Sequence, residues 1–286
     1  MKIVLAQHFG LCFGVRDAIA QAEHLAQEGP LTILGELVHN PLVQEHLRQK
    51  GIGAGSLDAR QADSQQVMIT AHGASDKQRR RWRAAGFAVS DGTCPLVRNA
   101  HEQLERLVAT GYFPVVIGQR GHVEVRGLTE DFPEAAIVLQ EEDVAKLPPR
   151  DRYGVISQTT QPIEGVRRLV DEIRRLHSTA EVRFVDTVCQ PTKNRQSALR
   201  ELIAHAEVIV VVGGRHSNNT RQLVRLCETR GRQAIHIERA EELDASDFER
   251  VTTVGVTAGT STLPETVDAV MARLEEISRL QERERQ

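Results

Sequence analysis

Cys94-Pro95-Leu96-Val97-Arg98-Asn99-Ala100-His101-Glu102-Gln103-Leu104-Glu105-Arg106-Leu107 sets a cysteine directly before a helical stripe, because Val97, Ala100, Leu104 and Leu107 recur at intervals of three and four. A run with the character of a buried strand follows, Pro114-Val115-Val116-Ile117, leading toward His122. A second short strand, Gly154-Val155-Ile156, then ends in Ser157-Gln158-Thr159-Thr160. The same order occurs twice more. Cys12 leads into Val15, Ala18, Ile19, Ala22 and Leu25, then Leu31-Thr32-Ile33-Leu34 toward His39, then Val67-Met68-Ile69-Thr70 before Ala71-His72-Gly73. Cys189 leads into Ala198, Leu199, Leu202 and Ile203, then Val208-Ile209-Val210-Val211-Val212 toward Ser217, then Val254-Gly255-Val256 before Thr257-Ala258-Gly259-Thr260-Ser261.

The three cysteines are thus spaced by roughly a third of the 286-residue chain, the mark of an internal repeat. Strands alternating with helices imply α/β units with parallel sheets. The expectation is three small α/β domains, 1–93 around Cys12, 94–188 around Cys94 and 189–286 around Cys189. Two further stripes, Val166, Leu169, Val170, Ile173 and Leu176, and Val267, Val270, Met271, Leu274, Ile277 and Leu280, supply additional helices. The charged tail Gln281–Gln286 is expected to fray. Functional groups of parallel sheets gather beyond the carboxyl ends of the strands. Packed about a pseudo-threefold axis, the domains would bring the cysteines and the polar strand-end turns to one central cavity.

Composition narrows the function classes. With 36 Lys+Arg against 39 Asp+Glu the formal charge is −3, so no global basic field favours nucleic acid or an anionic membrane. Aromatics make up 3% of the chain, too few for the stacking platforms of single-strand binders. Apolar runs such as Val208 to Val212 fall far short of the roughly 20 residues that span a bilayer. Met1-Lys2-Ile3-Val4-Leu5-Ala6 enters a strand without a signal or transit segment, which points to the cytoplasm. Cysteines in a reducing compartment are metal ligands or catalytic groups more readily than disulfides.

Three thiolates from matched positions suit an iron–sulfur cluster or a zinc ion. A cubane cluster held by three cysteines leaves one iron open to a substrate oxygen. Cys227, four residues after Leu223 in a helical stripe, reads as a core thiol. His39, His72, His122, Ser217, Asn218, Asn219 and Ser261 are short polar donors at strand ends, a composition suited to phosphate. Neither a P-loop nor a G-x-G-x-x-G occurs, which favours a small diphosphate over a nucleotide. Glu124, two residues after His122, shares a face with that imidazole if the segment is extended, as a proton donor beside a phosphate site would. The basic run Arg79-Arg80-Arg81-Trp82-Arg83 reads as the solvated face of a helix, with docking of an acidic electron donor as the alternative.

Taken together, Gly10-Leu11-Cys12-Phe13-Gly14-Val15, Val38-His39-Asn40, Ala71-His72-Gly73, Thr93-Cys94-Pro95-Leu96-Val97, Gly121-His122-Val123-Glu124-Val125, Gln158-Thr159-Thr160, Asn194-Arg195-Gln196 and Thr257-Ala258-Gly259-Thr260-Ser261 resemble, in order and over nearly the whole chain, the 4-hydroxy-3-methylbut-2-enyl diphosphate reductase family. The resemblance implies a pseudo-threefold α/β fold whose Cys12, Cys94 and Cys189 hold a 4Fe-4S cluster with one open iron site. It implies a diphosphate pocket of His39, His72, His122, Ser217, Asn219 and Ser261, with Thr159 and Glu124 toward the substrate's hydroxyl and Glu124 as proton source. Asn218 stands where the family carries a second serine, so that donor is an amide. Leu11 replaces an aromatic, Val123 a proline, and Gln190-Pro191-Thr192-Lys193 follows the third cysteine in place of the usual residues.

The implied reaction removes the allylic hydroxyl with two electrons and protons, giving isopentenyl and dimethylallyl diphosphates at the last step of the non-mevalonate pathway. A reduced ferredoxin or flavodoxin is the implied donor, and a monomer the implied state. The rivals are a paralogous iron–sulfur hydro-lyase or reductase acting on a related diphosphate, and an iron–sulfur redox sensor.

Overall fold

The computed structural model describes residues 1–284. In chain order the first elements are β1 (Lys2–Leu5), α1 (Phe13–Glu28), β2 (Leu31–Leu34), α2 (Pro41–Gln49), β3 (Gly53–Gly55), β4 (Gln66–Ile69), α3 (Asp76–Ala84) and β5 (Ala88–Asp91). The middle of the chain forms α4 (Pro95–Ala109), β6 (Phe113–Ile117), α5 (Val123–Thr129), β7 (Ala136–Val138), α6 (Glu141–Val144), β8 (Arg152–Ser157), α7 (Ile163–Leu176) and β9 (Glu181–Phe184). The last third forms α8 (Gln190–His205), β10 (Val208–Val212), α9 (Asn218–Thr229), β11 (Gln233–Ile237), β12 (Thr253–Ala258) and α10 (Pro264–Glu284).

These strands make three four-stranded sheets, ordered β3-β2-β4-β5, β7-β6-β8-β9 and β11-β10-β12-β1, and every pairing is parallel. The three orders are the same order. Within each, an early strand pairs with the strand that follows it and with the one after, and a fourth strand closes the edge. The expected three parallel α/β units are therefore present, with four strands each where the repeat showed two. Edge strands escaped the reading because they are short and half-exposed: β3 is Gly53-Ala54-Gly55 and β9 alternates exposed with half-buried residues. The fourth strand of the last sheet is β1, so the segment 1–93 contributes a strand to the sheet of the segment 189–286, in register from Lys2 opposite Thr253 to Leu5 opposite Val256.

The described residues divide into two compact units: Met1–Phe13 with Val38–Glu45 and the chain from Gln190 onward, and Gly14–Leu37 with His46–Cys189. The first holds the sheet β11-β10-β12-β1, and its wholly buried central strand explains the unbroken apolar run Val208–Val212. Val208, Val210 and Val212 pack with Val267, Val270, Leu274 and Ile277 of α10 on one face. Ile209 and Val211 pack with Leu199, Leu202 and Leu223 of α8 and α9 on the other. The second unit repeats this layering around β6 and β8. Val115, Ile117 and Val155 face Val166, Val170 and Ile173 of α7, whereas Val116 and Ile156 face Ala100, Leu104 and Leu107 of α4.

Two expectations are corrected. The tail is helical through Glu284, with the amino group of Met1 3.6 Å from the Glu282 carboxylate and 2.9 Å from Ser278 Oγ; residues 285–286 of the expected fray lie outside the described residues. The run Arg79–Arg83 lies on α3 with Arg80, Arg81 and Arg83 exposed, the solvated face as read, while Arg79 and Trp82 depart from it. Arg79 turns inward to Asp91 and Thr93, Arg81 reaches the carbonyls of Leu57 and Ala59, and Trp82 is buried.

Candidate functional site

Each of the three repeat cysteines is the residue immediately before a helix: Cys12 before α1, Cys94 before Pro95 of α4, Cys189 before α8. Each also donates its backbone N–H to a carbonyl two residues past the end of the equivalent strand. Cys12 reaches Thr260 after β12 at 3.0 Å, Cys94 reaches Ala71 after β4 at 3.1 Å, and Cys189 reaches Thr159 after β8 at 2.9 Å. The strand ends thereby hold three sulfurs at matched helix starts. All three are partly accessible and none is disulfide-bonded. In the second unit, a Cβ on Gly14 would overlap Cys94 Sγ, so glycine at the start of α1 leaves the space that thiol occupies. Cys227 is in the core as read, its thiol pushed up to about 12 by burial.

The second unit carries the acid. His122 caps α5 with its ring, Nδ1 accepting from Glu124 N–H at 3.1 Å. Neutral His122 therefore carries its proton on Nε2. Glu124 sits in the first helical turn, which corrects the extended reading of Gly121–Val125; an imidazole is an unusual cap, and no Ser, Thr, Asp or Asn stands there to signal a helix start. The Glu124 carboxyl is buried, and Thr159 N–H donates to its Oε1 at 2.7 Å. Burial raises its pKa to about 7 even though the Thr159 contacts oppose the shift. A carboxyl of that kind holds a proton near neutrality and can surrender it. The His72 ring stands edge-on to that of His122, centroids 5.5 Å apart.

The first unit carries the remaining donors. Ser217 caps α9 and Asn218 and Asn219 open that helix, all three buried. Asn219 Oδ1 accepts from Thr260 N–H at 3.1 Å, which ties the α9 start to the turn after β12. Asn40 Nδ2 donates to Ser261 O at 2.6 Å and brings the His39 segment to the same turn. Gly214 lies against the His39 carbonyl, where a Cβ would collide. Asn219 Nδ2 and Ser261 Oγ are buried with no partner, a costly state that a ligand's oxygens would relieve.

The LytB protein family matches the chain over residues 3–275. The chain belongs to the LytB family. Its relatives include the 4-hydroxy-3-methylbut-2-enyl diphosphate reductase of Pelobacter propionicus, 36% identical over 281 residues covering 98% of this chain and 99% of the relative. The protein of the same name from Aquifex aeolicus is 34% identical over 284 residues, 97% of each. Among solved structures, the E-1-hydroxy-2-methyl-but-2-enyl-4-diphosphate reductase from Plasmodium falciparum is similar with a TM-score of 0.88 at 26% identity, covering 95% of this chain and 87% of the other.

Within this LytB chain the first unit assembles His39, Ser217, Asn218, Asn219 and Ser261 near the Cys12 turn, and the second assembles His72, His122, Glu124 and Thr159 with Cys94 and Cys189. The sequence reading missed Gln158 and Arg195 as organisers. Buried Gln158 accepts from Gln119 N–H at 3.1 Å and from Gln161 Nε2 at 2.9 Å, joining the His122 loop to the Thr159 loop. Both lie inside quoted motifs, but contacts so distant in sequence leave no periodic signal. Among the described residues no helix is long and apolar enough to cross a membrane.

Proposed function

We propose that this LytB-family chain is the iron–sulfur oxidoreductase that reduces 4-hydroxy-3-methylbut-2-enyl diphosphate to isopentenyl and dimethylallyl diphosphates, the terminal step of the non-mevalonate pathway. The balance is substrate plus two electrons and two protons giving product plus water: the allylic C–O bond breaks and a C–H bond forms. The observation that carries the reading is Thr159, whose N–H holds the protonatable Glu124 and whose carbonyl holds the turn of Cys189, so one residue joins an acid to a sulfur. The donor set fits the cofactor: three thiolates at matched helix starts, with the Gly14 gap beside Cys94. Cys12, Cys94 and Cys189 would hold a 4Fe-4S cluster. Such a cluster supplies electrons and, at an iron without a thiolate, a Lewis acid for the hydroxyl.

The chain's own groups do the rest. The assigned diphosphate donors are His39, Ser217, Asn218, Asn219 and Ser261, joined by His72 and by His122 through Nε2–H. The buried, unpaired Asn219 Nδ2 and Ser261 Oγ gain partners when the diphosphate binds. Held there, the diphosphate converts binding energy into orientation of the carbon skeleton. Glu124, aligned by Thr159, delivers the proton that lets hydroxide leave as water. A small acidic carrier, ferredoxin or flavodoxin, serves as donor to a cytoplasmic monomer organised as 1–93, 94–188 and 189–286.

Anaerobically purified protein assayed with a reduced dye and the hydroxylated diphosphate tests the reading. Two electrons consumed per isoprenoid diphosphate formed supports it. Turnover without electron consumption would make the protein a hydro-lyase, and tight binding without turnover would leave it a sensor.

A further inference from the structure

The turns that carry the three cysteines are braced differently, and the difference singles out Arg195. Asp91 lies three residues before Cys94, and its Oδ1 accepts from Thr93 N–H at 3.0 Å. Asp186 lies three residues before Cys189, and its Oδ1 accepts from Val188 N–H at 3.1 Å. These are local turns closed by an aspartate. The equivalent position before Cys12 is Phe9, whose side chain offers no acceptor. The Cys12 turn also passes through Gly10 at φ +65°, a left-handed conformation that residues with a side chain rarely adopt.

On one side, this turn is held by its amides: Gly10 N–H donates to Ala258 O and Cys12 N–H to Thr260 O, both at 3.0 Å. On the other side stands Arg195 of α8, 5% exposed. Its Nη2 donates to Gly10 O and, at 3.4 Å, to Phe9 O, while Nη1 donates to Pro191 O at 2.9 Å. A planar guanidinium can bridge these carbonyls at once; an ammonium cannot. Arg195, Asn194, Cys12 and Phe13 also line one cavity of about 270 Å³, so the buried cation and the thiol share a space.

We propose that Arg195 is the positioning residue for Cys12: its fork replaces the aspartate brace of the other two turns and fixes the first sulfur for the metal. The inference rests on the reading of Cys12 as a ligand. Outer-shell partners of metal ligands are worth roughly 10–100-fold in metal retention, and that is the effect expected here.

The test loads the full chain with iron and sulfide anaerobically and follows iron release to a chelator, the low-temperature EPR signal of the reduced cluster, and the far-UV circular dichroism melt. Arg195→Gln should release iron about 10–100-fold faster than wild type, with altered g-values and an unchanged dichroism spectrum. Arg195→Lys, which keeps the charge but cannot span the carbonyls, should fall between, and it decides the matter should the glutamine variant not fold. Wild-type release rate and g-values in the lysine variant would overturn the proposal, as would a lowered melt with unchanged release at 25 °C in either, the sign of a merely structural role. Cys12→Ser separates the two readings. If that variant keeps its iron, the ligand reading fails; if it loses iron while Arg195→Gln retains it, only the role of Arg195 falls.

Discussion

Glu124 is where burial and chemistry meet in one side chain. Its pKa is raised by burial to about 7, so the protonated form, and the stability it brings, are complete below the ordinary carboxylate range near 4.5 and lost as pH climbs through about 7. A rate that depends on that proton should therefore fall on the alkaline side of about pH 7. Glu124→Gln keeps size and hydrogen bonding but has no acidic proton, so kcat should drop roughly 10²–10⁴-fold with iron content intact, and the alkaline limb assigned to Glu124 should vanish from the pH–rate profile. Wild-type turnover in a loaded variant would return Glu124 to a structural carboxyl. A second residue-scale expectation concerns space. Gly14→Ala forces a methyl group onto Cys94 Sγ and should lower bound iron per chain, whereas Gly29→Ala, with open surroundings just past α1, should leave it unchanged. Iron and sulfide analysis of the two variants checks this. The candidate residues were legible in the sequence by type, as short polar donors at strand ends and cysteines at the starts of matched helices. Their local conformation was less so: His122 capping a helix through a ring nitrogen is a choice the three-dimensional contacts impose.

Among the elements, the strands and helices that were legible are those buried on both faces or striped at helical spacing: Val208–Val212, Val115–Ile117, the Cys94 helix. Those that were not are edge strands such as β3, β7 and β9, whose stabilisation comes from one neighbour's ladder and not from their own pattern. Core and edge should differ in cost. Leu104→Ala removes a fully buried side chain packed with Val116 and Ile156 and should destabilise by about 2–5 kcal/mol. Leu139→Ala, at 42% exposed, should change stability by no more than about 0.5 kcal/mol. Urea unfolding of both variants followed by circular dichroism gives the comparison, and equal shifts would mean that the α4 face does not carry the core.

Over the whole molecule the repeat governs. Three sheets share one strand order, and three cysteines share one attachment, each N–H hooked to the carbonyl two residues past the matching strand. The repeat was readable from the cysteine spacing, but its phase was not. The last sheet takes its fourth strand from the N-terminus, because β12 leaves an edge that β1 fills in parallel, and nothing local in Lys2–Leu5 names that partner. The proposal built on that repeated attachment is that three thiolates, and not four, hold the iron. Iron and sulfide quantification with Mössbauer spectroscopy on anaerobic wild-type protein and on Cys12→Ser, Cys94→Ser, Cys189→Ser and Cys227→Ser tests it most directly. The account predicts a four-iron cluster with one distinct iron in wild type, severe loss in the first three variants, and wild-type spectra in Cys227→Ser, whose thiol is in the core. Equal iron loss in all four variants, or full retention in any of the first three, would contradict it.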